Sequence, residues 1–272
     1  MQANKFCNYY TCSPEIKNQL ESIVSVLSSL LKTNLLGIYL SGSIVLDAFD
    51  EKGSDLDIIV VVQSPLTILE KIEVISYLMT VNRNPCRIDL DIVTTTDVEN
   101  WQDMPETNLF FNDYWARHYE RILAAPEDTE NAEKLLAAVS SDGEFLVEFK
   151  QIKESGICLY GLPIDDLFPE IPDEIFLKSI SSGIDGFYVE SENDSQSSYL
   201  ILTLCRILAF RITGKILSKP KAAAWALQEL PENYHPVINS AMYKRYGLGR
   251  DVAYTADDAI SFKAYVAGKV SV

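Results

Sequence analysis

The spacing of apolar residues switches between helical and strand periodicity along the first hundred residues. Residues 14–32 and 66–79 repeat apolar side chains every three or four positions, which predicts amphipathic helices. Residues 35–40 and 56–62 are short apolar runs, and the second is rich in the β-branched residues typical of a buried strand. Residues 87–94 alternate, with apolar and acidic side chains on opposite faces. With one short helix between the first two strands, the pattern predicts a small mixed β-sheet flanked by helices.

From about residue 131 the apolar spacing becomes helical throughout. Ser155-Gly156 and Gly161-Leu162-Pro163 mark this change, so we expect an α/β domain over residues 1–157 and an all-α helical bundle over residues 158–272. The polar stretch 191–198 is predicted to be a loop that caps the next helix. Glycines and prolines separate the segments with helical spacing, which are 133–139, 144–153, 174–184, 198–213, 221–230 and 237–246.

Charge narrows the classes of partner. The chain has 23 basic and 39 acidic residues, which gives a formal net charge of −16. Binding to nucleic acid depends on Lys and Arg neutralising phosphates, so this charge argues against DNA or RNA as a partner. A negative field attracts cations instead, which gives weak support to a cationic substrate.

The remaining composition bears on compartment and metal type. Five cysteines are scattered with no C-x-x-C pair, which is typical of reduced thiols in a cytosolic protein. Only two histidines are present, which argues against a histidine-based zinc site. The first residues lack the apolar region of a secretory signal, and no apolar run approaches the roughly 18 to 20 residues that span a bilayer. We expect a soluble, cytoplasmic monomer with no membrane partner.

Two acids at the start of the second strand are the first candidates for chemistry. Asp55 and Asp57 are two positions apart, so their side chains face the same side of the sheet, where they repel each other. A shared divalent cation would remove that repulsion, and Mg²⁺ favours one or two carboxylates together with substrate phosphates. The alternative is that Asp55 caps a turn and Asp57 is a surface residue. We favour the metal site because both acids lie at the mouth of a buried strand.

Two further features extend this candidate site. Gly42-Ser43 can offer backbone N–H groups and a hydroxyl to an anion, although alone the dipeptide describes an ordinary turn. Asp89 and Asp91 share one face of the third predicted strand. If that strand neighbours the second, one of these acids can reach the metal or act as general base on an acceptor hydroxyl. Spacing alone does not rank Asp89 and Asp91.

The run Gly42-Ser43-x11-Asp55-x-Asp57 resembles the nucleotidyltransferase motif of the DNA polymerase β superfamily. The likeness extends over most of the chain, which is similar to the bacterial aminoglycoside adenylyltransferases that act on streptomycin and spectinomycin. The segments that carry this second likeness are Phe111–Leu123 with Trp115, Leu159-Tyr160-Gly161, Leu202–Ile207, Thr213–Ile216, Lys219, Ala223–Ala226 and Leu230-Pro231. The resemblance implies a nucleotidyltransferase domain followed by a helical substrate-binding domain.

The resemblance also implies roles for single residues. Asp55 and Asp57 would bind Mg²⁺, and Asp89 would complete the metal site and occupy the position of the catalytic base. Lys219 and Lys215 would contact the phosphates of ATP, although Lys215 could equally complement the end of a helix. Trp115 would line the drug pocket, against the alternative that it is a core residue.

The chain departs from the family pattern at three places. The family base is a glutamate, whereas Asp89 is shorter and must approach the hydroxyl more closely. Tyr199 replaces a polar residue near the nucleotide. The acid that contacts streptomycin falls in the region of Glu190, Glu192 and Asp194, and all three are candidates.

The resulting hypothesis is an enzyme that transfers AMP from ATP to a hydroxyl of a small cationic antibiotic, with Mg²⁺ bound and pyrophosphate released. Acids between the two domains would bind the ammonium or guanidinium groups of the drug. The first alternative is a nucleotidyltransferase with another small-molecule or protein acceptor. The second is a catalytically idle nucleotide-binding module.

Overall fold

A computed structural model describes residues 5–101, 107–139, 145–182, 184 and 195–270. The chain forms two compact units, Met1–Glu170 and Ile171–Val272. The division therefore lies later than the boundary at 157/158 that the sequence predicts. The reason is a strand at Ile157–Gly161, which pairs with a strand of the first unit and so extends that unit past the predicted boundary.

The first unit alternates helices and strands, as predicted, and adds two strands that the periodicity does not indicate, at Leu109–Phe111 and Ile157–Gly161. Both are short, and so give little periodic signal. Its strands are β1 (Leu35–Leu40), β2 (Asp55–Val62), β3 (Arg87–Thr94), β4 (Leu109–Phe111) and β5 (Ile157–Gly161). Its helices are α1 (Pro14–Leu31), α2 (Gly42–Val45), α3 (Ile68–Val81), α4 (Thr95–Glu99), α5 (Ala116–Leu123), α6 (Thr129–Leu136), α7 (Phe145–Ser155) and α8 (Ile164–Leu167).

The five strands form one mixed sheet in the order β4-β3-β2-β1-β5. Only β2 and β3 are parallel, because α3 carries the chain back to the same edge between them. The other three pairs are antiparallel. The prediction of a small mixed sheet flanked by helices is confirmed.

The two faces of this sheet differ in what they carry. Alternate residues such as Ile58 and Leu90 belong to the core cluster that also contains Ile23 of α1 and Ile75 of α3. Because strand side chains alternate, the intervening residues of β2 and β3 face away from that cluster. The intervening positions include every acidic residue of the two strands, so the candidate site lies on the face opposite α1 and α3.

The second unit is helical, as predicted. Helix α10 is almost fully buried along its middle and packs against each of the other four helices. The sequence pattern indicates the first four helices and misses the last. The five are α9 (Asp173–Ser182), α10 (Ser195–Thr213), α11 (Lys219–Glu229), α12 (His235–Tyr246) and α13 (Ala256–Val270). Across the described parts of both units, no helix combines the length and apolarity that crossing a membrane requires.

Candidate active site

Asp57 and Asp89 are paired in register on the parallel strands β2 and β3. In-register partners on neighbouring strands lie roughly 5 Å apart and project to the same face. Both side chains are half-buried. The sequence left open whether the strand of Asp89 would neighbour that of Asp57, and the structure makes them adjacent.

Asp55 has a cationic partner that the sequence analysis missed. Arg87, its register partner on β3, donates from Nε to Asp55 Oδ1 at 2.5 Å and from Nη2 to the carbonyl of Gly53 at 3.0 Å. The expectation that Asp55 and Asp57 simply repel each other is therefore corrected, because the Asp55 carboxylate is paired with Arg87. The cation comes from the neighbouring strand, and only the pairing of β2 with β3 brings it there.

Gly42 follows β1 and rests directly on Asp57. The backbone N–H of Ser41 donates to the carbonyl of Asp57 at 3.0 Å, which continues the pairing of β1 with β2 by one residue. The chain then turns at Gly42, whose φ is +68°. A Cβ at Gly42 would stand 1.6 Å from Asp57 Oδ2, so only glycine lets the backbone pass this closely over the carboxylate.

Gln151 holds the same turn from the other side. Its Nε2 donates to the carbonyl of Gly42 at 3.1 Å, and the side chain is buried. The sequence analysis missed this residue, because a glutamine on a helix gives no local signal of a contact 109 residues away. Ser43 is half-buried on the same turn, and its carbonyl accepts the N–H groups of Leu46 and Ala48.

Asp89 and Asp91 have different surroundings, although they share one face of β3. Asp91 is 5% exposed and accepts a hydrogen bond from Thr107 Oγ1 at 2.8 Å. Asp89 is more exposed and stands beside Asp57. A general base must reach its substrate, so these surroundings favour Asp89 over Asp91 as the base.

A short turn that carries Trp115 follows β4 and begins beside Asp89. Phe111, the last residue of β4, pairs with Leu90, so Asn112 begins the turn at the register position of Asp89. The Asn112 side chain accepts the N–H of Tyr114 at 3.1 Å. Trp115 is half-buried and packs partly against the core, which agrees with the alternative core role, and its place in the drug pocket stays a prediction.

Hydrogen bonds to Asp113 anchor this turn. Asn82 donates to Asp113 Oδ1 at 3.0 Å and Arg83 donates from Nε to the same oxygen at 2.8 Å. The hydrogen bond from Arg83 is the main reason that the pKa of Asp113 lies below its ordinary value. Tyr114 is left 82% exposed, edge-on to Trp115 with ring centroids 5.2 Å apart.

Two of the predicted ATP contacts of the second unit, Lys219 and Tyr199, meet at the start of α11. The Lys219 ammonium lies 4.0 Å from the ring centroid of Tyr199, a cation–π contact. Arg206 donates from Nε to the carbonyl of Leu217 at 3.0 Å and so fixes the loop that leads to Lys219. Lys215 is exposed and follows Gly214, whose φ of +67° ends α10. Glu190, Glu192 and Asp194 lie outside the described residues.

The two units also differ in charge. Residues 171–272 contain 11 basic and 11 acidic side chains, so the whole formal charge of −16 resides in residues 1–170. The unit that carries the acidic face is therefore the one whose field attracts cations.

Two of the three predicted ligands, Asp57 and Asp89, form a donor set that fits magnesium. Asp57 and Asp89 offer carboxylate oxygens side by side, and Mg²⁺ uses one or two carboxylates with substrate phosphates. Asp55 directs an oxygen at Arg87. Among the residues that the structure describes, no group of three or more His, Cys, Asp or Glu side chains is arranged to hold a metal ion.

Comparisons with known proteins point in one direction. Residues 166–268 match the family described as the C-terminal domain of aminoglycoside adenylyltransferases. The chain is 26% identical to an aminoglycoside (3'')(9) adenylyltransferase of Shigella flexneri, with 94% of this chain and 95% of that protein covered. It is also 26% identical to a spectinomycin 9-adenylyltransferase of Enterococcus faecalis, with 88% and 90% covered.

A solved structure extends the comparison to the fold. The crystal structure of an enterococcal spectinomycin adenyltransferase, AAD(9), with ATP and spectinomycin matches with a TM-score of 0.71 and 22% identity. The match covers 93% of this chain and 98% of that one. The predicted fold is thereby confirmed, and so is the resemblance of this chain to the aminoglycoside adenylyltransferases, whose C-terminal domain it matches over residues 166–268.

Proposed function

We propose that this protein transfers AMP from ATP to a hydroxyl of an aminoglycoside-type antibiotic, streptomycin or spectinomycin or both, and releases pyrophosphate. The observation that carries the proposal is the pairing of Asp57 with Asp89 beneath the Gly42 turn. A glycine turn of the kind predicted to bind phosphate, directly over Asp57 and next to Asp89, suits transfer of a phosphate-containing group. The named relatives, aminoglycoside (3'')(9) and spectinomycin 9-adenylyltransferases, support the choice of group and acceptor.

In the reaction, the acceptor oxygen forms a bond to the α-phosphorus of ATP while the bond from that phosphorus to the β-phosphate bridging oxygen breaks. Asp89 takes the hydroxyl proton, and pyrophosphate leaves with the electron pair of the broken bond. The turn at Gly42 and Ser43 holds the outer phosphates. Lys219 and Lys215 of the second unit stay predicted contacts of the ATP phosphates.

Asp55, Asp57 and Asp89 are the residues that would hold Mg²⁺. The ion, when bound, neutralises charge that builds on the α-phosphate during transfer. Because an aspartate is one methylene shorter than the glutamate of the family, Asp89 requires the acceptor hydroxyl to lie closer to β3. Trp115 stays a predicted contact of the acceptor, and the acidic first unit attracts a cationic drug. Glu190, Glu192 and Asp194 stay predicted drug contacts.

The test is adenylation of each drug in turn. Purified protein is incubated with ATP, Mg²⁺ and either streptomycin or spectinomycin, and the molecular mass of the drug is measured by mass spectrometry. We expect a gain of one AMP on at least one drug. No gain on either, with an active control enzyme alongside, would remove the drug assignment.

Free thiols at all five cysteines suit the cytoplasm, where we propose that the protein acts as a monomer.

A single substitution tests the metal role. Asp57→Asn should lower turnover by at least about 100-fold, because the charge that holds the cation is lost. Glu73→Gln, which removes an exposed acid of α3, serves as the control for charge alone. Full activity in Asp57→Asn would refute the metal site.

Two alternatives predict different results. Another acceptor, either a different small molecule or a protein, would show as pyrophosphate release from labelled ATP with that acceptor and with neither drug. An idle nucleotide-binding module would be stabilised against heat by ATP and would release no pyrophosphate with any acceptor.

A further inference from the structure

Arg87 forms an ion pair with Asp55, which the proposed function assigns as a ligand of Mg²⁺. The guanidinium is held at two points, by Asp55 Oδ1 at 2.5 Å and by the carbonyl of Gly53 at 3.0 Å. The two side chains come from positions paired in register on β2 and β3. The pairing of the strands therefore places the two side chains next to each other, and the second hydrogen bond, to Gly53, holds the guanidinium there.

A guanidinium and a divalent cation compete for one carboxylate. An arginine presents a planar fork of N–H donors and stays protonated, so it neutralises the carboxylate at any working pH. A divalent cation at Asp55 would meet the positive charge of Arg87 at close range. Asp55 Oδ1 is occupied by the guanidinium, so a cation that coordinates Asp55 through this oxygen requires Arg87 to move away.

We propose that Arg87 is the counter-ion of Asp55 in the metal-free protein and that metal binding at Asp55 displaces it. The inference rests on the proposed metal site. It accounts for the arrangement of the described acids, in which Asp55 is directed at Arg87 and no three acids converge on one point. Asp57 and Asp89 are then the first ligands that the cation meets, and Asp55 joins after Arg87 has moved.

The experiment measures metal affinity directly and needs no turnover. Mn²⁺ is titrated into nucleotide-free protein, and free Mn²⁺ is followed by its electron paramagnetic resonance signal. Arg87→Gln should bind Mn²⁺ about tenfold more tightly than the wild type, since hydrogen bonds to a charged group no longer oppose coordination. The matched control is Arg83→Gln, which removes a positive charge four residues earlier, from a side chain that pairs with Asp113 and not with Asp55. It should leave the affinity unchanged.

The outcomes separate this inference from the proposed function. Unchanged or weaker Mn²⁺ binding in folded Arg87→Gln overturns the inference, and so does an equal gain in Arg83→Gln. The double variant Arg87→Gln/Asp57→Asn should lose the gain. If Asp57→Asn alone does not weaken Mn²⁺ binding, the metal site itself is wrong. If Arg87→Gln does not fold, Arg87→Met, which keeps an aliphatic stem, takes its place in the titration, and the same gain in Mn²⁺ affinity is expected.

Discussion

Gly42 and Asp57 are in direct contact, and this contact joins the predicted phosphate turn to the predicted metal ligand. The position of a Cβ on Gly42 would be 1.6 Å from Asp57 Oδ2, and the φ of Gly42 is +68°. The two requirements are separate, since one concerns the backbone angle and the other the space above the carboxylate. Any side chain at position 42 would therefore displace Asp57 as well as strain the turn.

Gly42→Ala should lower both stability and AMP transfer far more than Gly214→Ala does. Gly214 has a φ of +67°, but nothing lies within 4 Å of its Cβ position. Gly214→Ala should therefore lower the unfolding free energy by the backbone cost alone, about 1–3 kcal/mol. Gly42→Ala should add a clash and lower AMP transfer by about 100-fold or more, because Asp57, the proposed metal ligand, would be displaced. Denaturant unfolding and turnover of both variants check this, and equal losses of activity would contradict it.

Asp89 and Asp91 should respond differently to loss of charge. Asp89→Asn should lower kcat by about 10²–10⁴-fold, as expected for loss of a general base. Asp91→Asn keeps an oxygen that accepts from Thr107, so its kcat should change by less than about tenfold, well short of a base's contribution. Steady-state kinetics on both variants decide the assignment. A larger loss in Asp91→Asn would transfer the role of base to Asp91.

Gln151 should act as a positioning residue for the phosphate turn. Gln151→Met leaves the Gly42 carbonyl without the amide donor, which should cost about 1–3 kcal/mol of stability. It should also raise the KM for ATP while the KM for the acceptor stays unchanged.

The control for Gln151 is Gln19, another buried glutamine. Gln19 donates to the backbone carbonyls of Val81 and Cys86 at 2.9 Å and 2.8 Å. Gln19→Met should destabilise the protein in the same way and leave the KM for ATP unchanged. If both variants raise that KM alike, the effect of Gln151 is merely structural.

Lys219 should contribute to ATP binding through its charge and Tyr199 through its ring. Lys219→Met should raise the KM for ATP at least about tenfold, because a charge-assisted phosphate contact is lost. Tyr199→Phe keeps the ring beneath the ammonium and should change the KM for ATP little. Tyr199→Leu should raise that KM by less than Lys219→Met does, since an exposed cation–π contact contributes about 0.5–1 kcal/mol. Lys244→Met, which removes a lysine 5.0 Å from the Tyr254 ring, is the control.

The turn that carries Trp115 should be stabilised by Asp113 in a pH-dependent way. Hydrogen bonds from Arg83 and Asn82 lower the pKa of Asp113 from its ordinary value of 3.8. A lowered pKa means that the stabilisation is complete above 3.8 and is lost as the pH falls through the folded-state pKa. The difference in unfolding free energy between the wild type and Asp113→Asn should therefore shrink in acid. Urea unfolding at neutral and acidic pH measures it, and a difference independent of pH would contradict the assignment.

Local sequence determined which residues face the same way and in which elements they lie. The apolar, β-branched run over 56–62 and the alternation over 87–94 predict two strands with their acids on one face, because a strand repeats every two residues. Helical spacing likewise predicts the helices of the second unit up to α12. The motif from Gly42 to Asp57 predicts a phosphate turn beside a pair of acids, since all its members lie within one stretch of chain.

The tertiary structure decided which residues meet across the sheet. The pairing of Asp57 with Asp89, the ion pair of Arg87 with Asp55 and the contact of Gln151 with Gly42 join residues 32 or more positions apart in the chain. Periodicity assigns a residue to a face but does not fix the register between strands, which depends on the packing of the whole sheet. The sequence by itself therefore provided the acids and the turn, whereas strand register and helix packing determined their partners.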